Sequence, residues 1–199
     1  MRFLLVLFIS FCSYFSCTAQ TSWKKAYEKD GLLIHTRTSK DGLFEFKSDK
    51  TMSQAIEKIL SVIRDYKAYP EWSYKTKSLR ILERINPDTH YAYTVVDFPF
   101  PMKDRDLITY SETTYEANGN LIISLKSVPD KIAKTEYVRI NKVRGFWKLI
   151  PLSDNKTRVI YQLASESVGL PNWLVEMFAL EAPIQNMSEL GKRAAKVAD

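Results

Sequence analysis

The stretch "FPFPMKDRDLITYSE", Phe98–Glu112, sets prolines on either side of a phenylalanine, adds Lys103, Asp104, Arg105 and Asp106, and then runs into what reads as a β-strand. Such a charge-dense knot at a strand mouth can serve catalysis, a metal or structural anchoring. A metal would need further ligands close in space, and nothing in the spacing of the two histidines, His35 and His90, pairs them. Acid–base chemistry would need the two carboxylates held at different pKa values, whereas Lys103 and Arg105 keep both ionised. Anchoring is therefore the preferred reading. On a strand Asp104 and Asp106 share one face and Arg105 takes the other. The prolines set the entry to the strand.

Outward from the knot, the chain reads as strand on both sides. "SLRILERI" turns at Asn86-Pro87-Asp88 into "HYAYTVVDF", which leads to the knot. "DLITYSETTYE" turns at Asn118-Gly119 into "LIISLKSV", followed by "TEYVRINKV", "FWKLIPL" and "TRVIYQLAS". The connections are short, so the pairing is expected to be antiparallel. Before this block, "LLIHTRT" and "LFEFKSDK" flank an Asp41-Gly42 turn. "SWKKAYEKDG" reads as a short helix stopped by glycine. In "TMSQAIEKILSVIRDY" the spacing of Ile56, Ile59, Leu60 and Ile63 predicts a helix capped by Ser53. "KAYPEWSYK" reads as a loop. The last segment, from Leu170 on, repeats large apolar residues every three or four positions and predicts a long helix with Pro183 as a weak point, kinked between Ala179 and Pro183.

The first residues are set apart. "MRFLLVLFISFCSYFSCTAQ" has one early charge, a short apolar run and small residues at its end. It reads as a secretory signal peptide over residues 1–19, cleaved after Ala19, with a single domain at 20–199. Lipid anchoring through Cys17 is the less favoured alternative. The expected location is secreted or periplasmic. Both cysteines, Cys12 and Cys17, fall in the leader, so the domain itself has no disulfide, thiol nucleophile or cysteine metal site. With 6 glycines among 199 residues, we expect no phosphate-cradling loop. No serine elbow is visible, so we expect no catalytic residues, no cofactor and no enzyme. The net charge of +6 suits transient contact with an anionic membrane surface; nucleic acid is disfavoured by export.

Several runs together carry a family resemblance: "FPFPMKDRD", "LFEFK", "DYKAYPEW", "VR" followed by "GFWKLIP", and "GLPNWLVEMFA". Across nearly all of Trp23–Lys196 the chain resembles the START (steroidogenic acute regulatory protein-related lipid transfer) domain, most closely its phosphatidylcholine transfer branch. The resemblance implies an α+β helix-grip fold, a curved antiparallel sheet wrapped on a long C-terminal helix around a lipid-sized cavity. It also implies that Arg105 and Asp106 are structural anchors that tie the strand mouth to neighbouring elements, with Arg105 expected to pair with a buried carboxylate. It implies that a lipid or other hydrophobic small molecule is bound, and possible transfer of it, by a monomer gated by that helix and nearby loops. The cavity residues it implies are Ala92, Thr94, Val96, Leu107, Thr109, Ser111, Ile123 and Trp147 on strands, and Met177, Leu180, Ile184 and Met187 on the helix. The aromatic choline cage of the phosphatidylcholine branch would fall at Thr94 and Leu107, where no ring stands, and the arginine of sterol-binding members would fall at Ser111. Neither ligand class carries over. The same fold hosts aromatase/cyclase enzymes and lipid-sensing modules, which remain the alternatives.

Overall fold

The computed structural model describes residues 22–198; the expected leader and Cys17 lie outside them. Strands β1 (Lys24–Lys29), β2 (Leu32–Thr38) and β3 (Phe44–Met52) come first, then helices α1 (Ile56–Arg64) and α2 (Tyr69–Trp72). Seven strands follow: β4 (Thr76–Asn86), β5 (Thr89–Val96), β6 (Arg105–Tyr115), β7 (Leu121–Ser127), β8 (Val138–Arg139), β9 (Val143–Ser153) and β10 (Lys156–Ser165). Helix α3 (Asn172–Ala194) closes the chain. The sheet runs β1-β2-β3-β10-β9-β7-β6-β5-β4, with β8 beside β6. Every pairing is antiparallel except β6 with β8. This is the curved sheet and terminal helix of the helix-grip fold. Register shifts along β4 against β5, and at the β9–β10 turn, are bulges that add twist and bend.

The main core fills the space between the concave face, α1 and α3, with Ile34, Ile59, Trp72, Leu149, Met187 and Leu190 among its most buried members. A second cluster of Tyr93, Val95 and Ile108 lies on the opposite face of β5 and β6, capped by Val128, Ile132 and Tyr137 from the chain after β7.

Several local expectations change. Ser22–Gly31 is not a helix: β1 pairs with β2 across Asp30 and Gly31, both at positive φ (49° and 73°). An Asp-Gly pair at positive φ is the tight hairpin turn that matches strand twist. Helix α1 starts at Ile56 with Ala55 in the cap position, so Ser53 does not cap it. "KAYPEWSYK" contains the short α2, with Pro70 in its first turn, where a missing N–H costs nothing. Helix α3 runs unbroken through a buried Pro183.

The knot is divided between the two faces of the sheet. Strand β7 reaches β6 only from Thr109 onward, and β8 takes the vacant edge beside Arg105 and Asp106. That brings Arg139 to Asp106. The Asp106 carboxylate, fully buried, accepts from Arg139 Nε (2.6 Å) and Nη2 (2.9 Å) and from Thr135 Oγ1 (2.6 Å). Arg139 Nη1 also donates to the carbonyl of Pro129 at 2.6 Å. Burial pushes the Asp106 carboxyl up, but the hydrogen bonds from Arg139 and Thr135 outweigh it and hold the group below its ordinary value. Its stabilisation is therefore present above the ordinary carboxylate range and is lost as pH falls through the lowered value.

Removing one partner of this pair leaves a buried charge alone. Asp106→Ala is expected to cost about 3–5 kcal/mol in chemical denaturation; a loss under 1 kcal/mol would contradict the anchor. Gly145 gives a second prediction. A Cβ there would lie 2.4 Å from the carbonyl oxygen of Gln162 and 2.8 Å from Leu163 Cδ1. The neighbour is backbone of the adjacent strand and cannot turn aside, so Gly145→Ala should destabilise by about 1–3 kcal/mol, readable as a lowered denaturation midpoint.

Candidate functional site

Alternation along two strands builds the wall of an internal cavity of about 270 Å³. Register pairs His90 with Ser111, Ala92 with Thr109, Thr94 with Leu107 and Val96 with Arg105. All eight line the cavity, and the intervening residues, Ile108 among them, point to the second cluster instead. Ile123 of β7 and Trp147 of β9 continue the wall. Trp147 stacks flat on Tyr161, with ring centroids 3.9 Å apart.

The helix contributes a different face from the one expected. Val175, Phe178, Ala179, Ala182 and Asn186 line the cavity; Met177, Leu180, Ile184 and Met187 do not. Met187 is fully buried in the main core, and Leu180 and Ile184 pack against it. Leu180, Ile184 and Met187 seal the helix to its neighbours, and Ala179 and Ala182, between Phe178 and Asn186, leave the space open. Choosing the bulkiest stripe therefore selected the wrong face. A signal was present in Ala179 and Ala182, whose small size and helical spacing mark a surface that does not fill the volume opposite it.

The two ends of the cavity differ. At one end His90 is buried against Tyr66, with ring centroids 4.8 Å apart. Burial, and then the charges of Arg84 and Arg64, lower its pKa and favour the neutral imidazole. Tyr69, on the wall, is raised to about 12 by burial and stays un-ionised. In between, Asn186 Oδ1 accepts from the Tyr74 backbone N–H at 2.7 Å, and the Tyr74 hydroxyl donates to Glu181.

At the other end stands Arg105. The expected ion pair is absent: among the described residues no carboxylate bonds to it. Its Nη2 donates to the carbonyl of Val168 at 3.2 Å, and its guanidinium lies 5.1 Å from the Phe98 ring centroid. Phe98 in turn stacks on Phe178 of α3. The anchor of the knot is thus Asp106 alone, and Arg105 faces the interior.

Comparison with known proteins matches residues 16–182 to the START domain. The chain belongs to the START domain family. An uncharacterised protein of Pseudomonas aeruginosa is 27% identical over 183 residues, covering 87% of both chains. The crystal structure of a STAR-related lipid transfer protein from Xanthomonas axonopodis superposes with a TM-score of 0.78 at 24% identity, over 87% of this START domain and 99% of that chain. An aromatase/cyclase from a Streptomyces species aligns at TM-score 0.52 and 14% identity, over 77% and 93%. At these identities the solved structures share the fold.

Because Ala182 borders empty space, a larger side chain there fills the void without displacing packed atoms. Ala182→Phe is expected to keep a melting temperature within a few degrees of the parent and to lose binding of the apolar dye Nile red. Unchanged dye binding by the folded variant would mean that the cavity is not the apolar binding site.

Proposed function

We propose that this START domain binds a lipid or other hydrophobic small molecule in the cavity, without covalent chemistry, and exchanges it with a membrane surface. The observation that carries this reading is the largely apolar pocket between β5, β6 and the face of α3 that bears Ala179 and Ala182. Phe100, Val168 and Trp173 support the membrane step. They are 96%, 77% and 56% exposed, and they belong to the knot loop, the β10–α3 loop and the first turn of α3. Large apolar side chains kept in water on segments next to cavity-lining residues suit contact with lipid, and the basic excess of the sequence, +6 with the leader and +5 once Arg2 is removed, adds attraction to anionic headgroups. The protein acts as a monomer, exported by the leader at residues 1–19.

Choline is not a preferred headgroup in this reading. A cage of rings contributes about 2 kcal/mol or more to a desolvated quaternary ammonium, and the matching wall positions are Thr94 and Leu107. The aromatase/cyclase alternative would need acid–base groups that converge on one reacting atom. His90 and Arg105 instead lie six residues of strand apart in register, about 20 Å.

Native mass spectrometry of the purified protein tests the proposal. A bound apolar molecule, lost in Ala182→Phe and exchangeable with added vesicles, is expected. A parent protein that takes up nothing from phospholipid and fatty-acid vesicles, with its fold intact, overturns it.

A further inference from the structure

One group in the cavity is unaccounted for by apolar binding. Arg105 is 6% exposed, and a guanidinium carries five N–H donors in a rigid fork. One of its nitrogens is satisfied by Val168 O. Phe98 and the apolar side chains of Val96, Leu107 and Ile140 share its end of the cavity. A buried charge left without a counter-charge is costly. Burial lowers the pKa of Arg105, but a guanidinium remains charged at any physiological pH.

No carboxylate among the described residues hydrogen-bonds to it. Glu166 lines the same end and acts on Arg105 through space. Its carboxylate is held by Asn141, from the backbone N–H at 2.5 Å and from Nδ2 at 3.4 Å. The acids of the knot are paired elsewhere, Asp104 with Lys77 at 2.6 Å and Asp106 with Arg139, so Glu166 is the one charge that faces Arg105, through space and without a hydrogen bond. Ser165 and Ser167 add hydroxyls to the wall beside Arg105. The site is a desolvated cation with hydroxyls around it, opening on an apolar space.

Resting on the lipid-binding reading above, we infer that the ligand is a single-chain amphiphile with an anionic oxygen head group, seated on Arg105 with its chain running along β5 and β6 toward His90. A fork of parallel N–H donors matches a carboxylate or a phosphate. The volume of about 270 Å³ lies at the small end of the range usual for ligand pockets, about 300–1,000 Å³, and a single chain is the simplest occupant of it. The length from Arg105 to His90, about 20 Å of strand, suits an extended chain rather than a compact ring system. Carboxylate and phosphate heads share this chemistry, and the probes below separate them.

Displacement of Nile red by palmitate, by a single-chain lysophosphatidic acid and by hexadecanol gives the test, on the parent protein and on Arg105→Met. The parent is expected to bind at least one of the two anions about 10- to 100-fold more tightly than the alcohol, as a charge-assisted hydrogen bond predicts. The anion that wins identifies the head group. Arg105→Met should bring that anion to the affinity of the alcohol and leave the alcohol unchanged, and Arg105→Lys should restore part of the preference. Equal affinity of the parent for all three probes overturns this inference while leaving lipid binding standing. A preference that survives in folded Arg105→Met also overturns it. Failure of the parent to bind any probe, or Nile red itself, overturns the lipid-binding reading as well. Should Arg105→Met not fold, the comparison among probes on the parent still decides.

Discussion

The buried pair between Asp106 and Arg139 holds the first residues of β6, and the orientation of β6 determines what the cavity contains. Side chains alternate along a strand, so a slip of one residue would exchange its two faces. With Asp106 gripped on the convex side, Arg105, Leu107, Thr109 and Ser111 can only look inward. β5 follows, because it is paired residue by residue with β6. Two-residue β8 is short, yet it delivers Arg139 to the one place where β7 leaves the edge of β6 open. The knot is therefore a two-sided device. One carboxylate ties the strand to the outside, and the adjacent guanidinium is pressed into the interior.

Emptiness inside a protein has to be built from mismatched sizes. The concave wall is bulky, with Trp147 and Tyr161, and Tyr69 of α2 adds a third ring. Opposite them α3 offers Ala179 and Ala182 beside Phe178, while Leu180, Ile184, Met187 and Leu190 turn aside into the main core. The division gives the helix a strong attachment on one face and a free boundary on another. Fully burying Leu190 and Met187 contributes about 1.5–3 kcal/mol each, so detaching the whole helix in water is disfavoured. Exchange of a ligand is better served by the knot loop and the β10–α3 loop, which carry exposed Phe100 and Val168.

Much of the architecture was legible in the sequence because its signals are local. Asn118-Gly119 and Asn86-Pro87-Asp88 mark hairpins, and the stripe of α1 marks a helix. β1 was not legible: Lys24, Lys25, Glu28 and Lys29 are exposed on both sides of an edge strand and show no alternation. β8 was not legible either, since two residues carry no period. At the cavity, the strand face came from family likeness, and the helix face was misassigned because bulk marks packing rather than a void. Arg105 read as an anchor because knots of opposite charge usually satisfy themselves. Only the fold reveals that its neighbours Asp104 and Asp106 have other partners.

The central claim is that ligand lies between the inward face of β6 and the small-residue face of α3. A crystal structure with a single-chain fatty acid brominated along its chain tests it, since bromine can be located by anomalous scattering. The account predicts bromine peaks inside the sheet, near Thr94, Leu107 and Ala182, with the carboxylate at Arg105. Peaks on the convex face beside Ile108, or outside the sheet altogether in a protein saturated with the ligand, would contradict it.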